Sequence, residues 1–137
     1  LGIQVDGIPE GRTTMKRRPI VIVDDDEDLL QELEELLCAE GYDVKLVSDP
    51  LSAVGAIEAA APYAVLLDLK MDKKDGFEIA GELAANPETS GIPVIVMTGY
   101  YEEARLERLK SSGVVRACLA KPLSVSDLVA KLDKVRG

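Results

Sequence analysis

The sequence predicts an α/β fold: a doubly wound parallel sheet of five strands flanked by five helices. Two observations carry that expectation. Apolar runs alternate with helix-spaced segments five times along the chain. The runs are short and continuous, as strands covered on both faces should be. Right-handed crossovers between such units lay the strands parallel and put helices on both sides. A chain of 137 residues suits one ordinary domain.

The elements follow in order. Leu1 to Arg18 has no sustained period, holds Gly2, Gly7, Pro9 and Gly11, and reads as a tail or linker. Its basic triplet Lys16-Arg17-Arg18 reads as a solvated edge before the first strand. The remaining pattern, residues 19–137, reads as one domain. Pro19–Val23 is the first strand. Leu29, Leu30, Leu33, Leu36 and Leu37 then recur at helical spacing, and Gly41 stops that helix. Val44–Val47 is the second strand, and Leu51–Ala60 an Ala-rich helix with Val54 and Ile57. Tyr63–Leu67 is the third strand. Asp75-Gly76 marks a turn before a helix carrying Phe77, Ile79, Ala80, Leu83 and Ala84, which Asn86-Pro87 ends. Ile92–Met97 is the fourth strand. Glu102–Lys110 is helical but highly charged, with Ala104, Leu106 and Leu109 to bury. Gly113 breaks it before the fifth strand, Val114–Ala120. Ser124 with Asp127 three residues on caps a last helix whose stripe is Val125, Leu128, Val129 and Leu132.

Composition narrows the chemistry. The chain is 47% hydrophobic with one Phe and no Trp, so its core is aliphatic. A formal charge of −9 argues against nucleic-acid binding through a broad basic surface. With no His, general acid–base work by imidazole and the usual zinc sets are excluded. Cys38 and Cys118 make no disulfide framework and read as buried or half-buried thiols in a reducing compartment. No apolar run approaches ~18 residues and no signal-peptide pattern opens the chain, which leaves a cytoplasmic location and no membrane contact.

Four strand ends carry the function. The first strand runs into Asp24, Asp25 and Asp26, the third into Asp68, the fourth into Thr98, and the fifth into Lys121. In a parallel sheet the carboxyl ends of the strands meet at one crevice. Two or three carboxylates with waters suit Mg2+, and an aspartate is a competent nucleophile toward phosphorus. Lys121 offsets the repulsion between an anionic donor and the carboxylates, and Thr98 offers a hydroxyl to a phosphoryl oxygen. Singly, each residue has a plainer reading: Asp26 or Asp28 as a helix cap, Thr98 as a turn residue. Asp24, Asp26, Asp28 and Glu35 also mimic a calcium loop, but Leu29 stands where that loop needs Gly. A haloacid-dehalogenase-type phosphatase is an alternative. Its nucleophile would be Asp24, and it leaves Asp68 unexplained.

The segments IVIVDDDEDLLQELEELL, VLLDLKMDKKDGFEIA and VIVMTGY and the pair Lys121-Pro122 together resemble a response-regulator receiver domain over about Pro19 to Val135. The resemblance implies the flavodoxin-like strand order 2-1-3-4-5. It implies Asp68 as phosphoacceptor and Mg2+ held by Asp24, Asp25, Asp68 and the Lys70 carbonyl. Thr98 and Lys121 become the phosphoryl-sensing pair. Such a domain is no ordinary enzyme: it promotes its own phosphotransfer and a slow autodephosphorylation. The donor is a sensor histidine kinase or a phosphotransfer protein, and phosphorylation switches partner binding or homodimerisation. A receiver-like interaction module that is never phosphorylated is the third reading.

Three positions depart from the family pattern. Asp72 stands where Pro is common four residues after the phosphoacceptor, which makes that loop more acidic and removes a rigid ring. Cys118 stands where an aromatic switch residue is usual, and Tyr100 or Tyr101 is an alternative aromatic. Lys70 and Tyr100 flank the phosphoryl position, where they would either shield it from water or point to solvent.

Overall fold

The computed structural model describes residues 18–99, 103–111 and 113–136. Five parallel strands form one sheet: β1 (Ile20–Val23), β2 (Val44–Val47), β3 (Ala64–Asp68), β4 (Val94–Thr98) and β5 (Val115–Ala120). Their spatial order is β2-β1-β3-β4-β5, as the sequence led us to expect. The helices are α1 (Glu27–Ala39), α2 (Ala53–Ala60), α3 (Gly76–Ala85), α4 (Glu103–Ser111) and α5 (Val125–Arg136). A single 3-10 turn, Pro50–Ser52, leads into α2, so the Ala-rich helix starts two residues later than its sequence pattern suggests.

Side-chain alternation divides the core into two layers. Val21, Val23, Val65, Leu67, Val94 and Val96 face one way and pack with Ile57 of α2, Leu83 of α3 and Leu106 of α4. Ile20, Ile22, Leu66, Ile95 and Met97 face the other way, against Leu30, Leu33 and Leu37 of α1 and Leu128 and Leu132 of α5. The central strands β1, β3 and β4 are buried along their whole length, which is why they read as unbroken apolar runs.

Helix ends follow local chemistry. The Asp26 carboxylate accepts the Leu29 N–H at 3.1 Å and starts α1. Gly41, at φ +93°, closes α1 with its N–H on the Cys38 carbonyl. Ser124 accepts the Asp127 N–H at 3.3 Å and caps α5. Arg18, the described member of the basic triplet, donates to the carbonyls of Ala61 and Pro62.

Two expectations need correction. Cys38 is exposed rather than buried, while Cys118 is half-buried. On α1 the buried stripe is Leu30, Leu33 and Leu37; Cys38 falls about 100° beyond Leu37 on a helix of 3.6 residues per turn. Leu36 lies at the other margin of the stripe and is also exposed. The strands β3 and β4 each run to the polar residue at their end. Asp68 and Thr98 are their last paired residues, opposite Met97 and Ala120. Tyr100, Tyr101 and the residues before Arg18 lie outside the described residues, as does the side chain of Ala104.

Candidate functional site

Register alone brings the acidic residues together. Val23 of β1 pairs with Leu67 of β3, so the next residues, Asp24 and Asp68, emerge side by side at the carboxyl ends. Asp24 stays anchored because its N–H donates to the Val47 carbonyl of β2 at 3.1 Å. Lys121 is fixed in the same way from β5, donating its N–H to the Thr98 carbonyl at 2.9 Å. One carboxylate oxygen from each of Asp24, Asp25 and Asp68 lies within 4.8 Å of the others. Asp24, Asp68 and Thr98 are buried, and Asp25 is exposed.

The hydrogen bonds divide the labour among the carboxylates. Asp24 uses both oxygens: Oδ1 accepts the Asp26 N–H at 2.9 Å, and Oδ2 accepts Lys121 Nζ at 2.8 Å. Among the described residues Asp68 is engaged only through Oδ1, with Lys121 Nζ at 3.4 Å and the Lys70 N–H at 3.5 Å. Among the described residues, Asp68 Oδ2 accepts no hydrogen bond. Asp25 accepts the backbone N–H of Asp72 on Oδ2 at 3.1 Å. That tie joins the loop after β1 to the loop after β3.

Electrostatics follow from this packing. Burial, then the neighbouring Asp24 charge, push Asp68 from an ordinary 3.8 up to about 6, against the pull of Lys121 and the Lys70 N–H. Burial alone would lower Lys121. The Asp24 hydrogen bond and the two carboxylate charges outweigh it and hold Lys121 above its ordinary value. The site therefore contains a lysine that stays cationic and more buried carboxylate than one ammonium neutralises. Hard oxygen donors in that state suit a divalent cation such as Mg2+, and the residues present fit one.

Gly76 is a site residue that the sequence disclosed only as part of a turn. A Cβ there would overlap the carbonyl oxygen of Asp68 and the Cα of Leu69. Its N–H donates to the Leu69 carbonyl at 2.9 Å, and Asp75 caps α3 by accepting the Glu78 N–H at 2.9 Å. The start of α3 is thus pressed onto the backbone that carries Asp68. Gly99, by contrast, would bring a Cβ only into ordinary contact with Lys121. Lys70 is exposed. Cys118 pairs with Val96 and packs on the α2–α4 side of the sheet. Burial raises its thiol pKa, with Glu107 of α4 adding to the rise and Lys110 opposing it.

A doubly wound sheet of this order, with three carboxylates and a lysine gathered at its switch point, defines a class: an α/β domain whose polar site lies at the carboxyl ends of its strands. The family model for the response regulator receiver domain matches residues 20–133. The chain belongs to that family, the receivers of two-component signalling. It is 32% identical to the transcriptional regulatory protein PdtaR of Mycobacterium tuberculosis, over 85% of this chain and 55% of that protein. It is 31% identical to the DNA-binding response regulator MtrA of Mycobacterium bovis, over 87% of this chain and 50% of that one. The chain thus spans about half the length of these curated relatives. The receiver domain of a sensor histidine kinase from Pseudomonas aeruginosa superposes with a TM-score of 0.78 at 26% identity, covering 89% of this chain and all of that one. That structure is described with a magnesium ion coordinated in its active-site cleft. Among the described residues no helix is long and apolar enough to cross a membrane.

Proposed function

We propose that Asp68 is the phosphoacceptor of this receiver, with Asp24, Asp25, Asp68 and the Lys70 carbonyl holding Mg2+. The observation that supports this most is the unequal use of the two buried carboxylates. Asp24 spends both oxygens on the Asp26 N–H and Lys121. Asp68 keeps Oδ2 free of hydrogen bonds among the described residues while Lys121 and the Lys70 N–H orient Oδ1. A nucleophile needs an unencumbered lone pair at a fixed position. Mg2+ held by these residues would supply the positive charge that offsets repulsion between an anionic phosphoryl donor and the carboxylates. Lys121 then meets one phosphoryl oxygen, and the Thr98 hydroxyl donates to another. The aspartyl phosphate carries roughly −1.5 to −2 charges, by analogy with other phosphorylated side chains.

Residues 1–137 contain no His, so a phosphohistidine donor lies outside this segment, on a sensor histidine kinase or a phosphotransfer protein. Movement of Thr98 and Lys121 toward the phosphoryl group alters the loops beside α4 and the face that α4, β5 and α5 share. A partner or a second copy of the chain reads that face. With a net charge of −9, this segment makes no nucleic-acid contact of its own. The receiver unit runs over residues 19–137, with 1–18 as its tail; the family match at 20–133 supports that division.

The test is labelling by acetyl phosphate, read as a mass gain of one phosphoryl group. Labelling requires Mg2+, is lost in Asp68→Asn, and leaves no sustained phosphomonoesterase turnover. Steady hydrolysis that survives Asp68→Asn but not Asp24→Asn identifies a phosphatase instead. Absence of labelling in the wild-type chain with Mg2+ present points to an interaction module.

A further inference from the structure

We propose that Asp72 is a positioning residue for the divalent cation, acting through its backbone N–H on Asp25. The inference rests on the metal assignment above and names the device that prepares its exposed ligand. Asp24 and Asp68 are buried and each is held by Lys121. Asp25 has neither advantage: it is exposed, and the Asp72 N–H is its one hydrogen-bond partner among the described residues. That bond takes Oδ2 and leaves Oδ1 free to serve the cation. A carboxylate already held in one orientation loses less freedom when metal binds.

The side chain of Asp72 is not what does this. Its carboxylate lies outside the compact group formed by Asp24, Asp25 and Asp68. Any residue with a backbone N–H could make the bond, and proline could not. A non-proline residue at position 72 therefore gives this chain a restraint on Asp25 that a proline there would forbid. The bond also spans 47 positions of sequence, so it couples the loop after β3 to metal occupancy. Loss of a group that orients a metal ligand typically weakens metal affinity by about 10- to 100-fold. An exposed ligand should fall at the lower end.

The experiment compares Mg2+ dissociation constants of the full chain by calorimetry for wild type, Asp72→Ala and Asp72→Pro. The two variants lose the same carboxylate and differ in the N–H. The expected result is binding about tenfold weaker in Asp72→Pro than in Asp72→Ala. Equal affinities for the two variants, with wild type binding Mg2+, overturn this inference and leave the metal site intact. A wild-type chain that binds no Mg2+ overturns the metal assignment and this inference together. Urea unfolding checks that Asp72→Pro is folded. If it is not, a semisynthetic chain with an ester in place of the Asp72 amide removes the N–H while retaining the side chain, and the same tenfold loss relative to wild type is expected.

Discussion

The crevice has two sides, and they are built differently. On the β1–β3 side the two buried carboxylates are held: both Asp24 oxygens are bonded, Lys121 bridges Asp24 and Asp68, and α3 presses Gly76 onto the Asp68 backbone. On the β4–α4–β5 side the described residues show fewer such ties. Helix α3 buries Gly76, Ile79, Ala80 and Leu83. For α4 the described anchors are Leu106 and Leu109, and Cys118 packs half-buried on that side of the sheet. The difference teaches a division of physical work. Phosphoryl chemistry needs groups held to a fraction of an ångström; signal transmission needs an element that can change state at modest cost.

One large effect breaks the rigid side. Gly76→Ala forces α3 away from Asp68 and should cost about 3 kcal/mol of folding stability, measured by urea unfolding. A loss below about 0.5 kcal/mol would show that α3 does not brace the Asp68 backbone. Next, the two helices can be compared directly. Leu83→Ala in α3 should cost about 2–5 kcal/mol globally, as a large-to-small change in a dense core does. Leu106→Ala should cost less and act locally, raising hydrogen exchange in α4 well before the rest of the sheet. Equal protection of α3 and α4 amides in the wild-type chain would remove the contrast.

A smaller effect concerns charge. In the metal-free chain Asp68 is raised to about 6 from 3.8. The folded state thus binds a proton that the unfolded chain does not between about pH 4 and pH 6. Metal-free stability should rise as pH falls through about 6, with the gain complete below about 4. Asp68→Asn removes the penalty of the buried charge. It should stabilise the metal-free chain at about pH 7.5 by an amount on the order of 1–2 kcal/mol, and by nothing near pH 4. A pH-independent difference between the two chains would contradict the assignment. Saturating Mg2+ reverses the order, because it stabilises the wild type by mass action.

The smallest effect separates the two thiols. Cys38 is exposed on α1, whereas burial raises the Cys118 pKa. A thiol reagent at neutral pH should therefore modify Cys38 first, and Cys118 only slowly. Comparable rates would mean that the β5–α4 face opens far more readily than its packing implies.

Much of this was legible in the sequence, and the failures have physical causes. Unbroken apolar runs ending in Asp24, Asp68, Thr98 and Lys121 identify the sheet and its switch point, because strand direction and crossover hand leave few other arrangements. Asp75-Gly76 is visible as a turn, but the close approach of Gly76 to Asp68 is tertiary and has no local signature. The bond from Asp72 to Asp25 is likewise invisible, since a backbone N–H leaves no mark on residue choice except the absence of proline. Cys38 was misplaced because five leucines on α1 suggest a wider apolar face than the sheet covers.

Whether Asp68 carries the phosphoryl group can be tested at the residue itself. The direct measurement is to label the chain with acetyl phosphate and Mg2+, reduce the acyl phosphate with borohydride, and locate the resulting homoserine by peptide mass spectrometry. Homoserine is expected at position 68 and nowhere else. Homoserine at position 24, or an acyl phosphate spread over several exposed carboxylates, would contradict it.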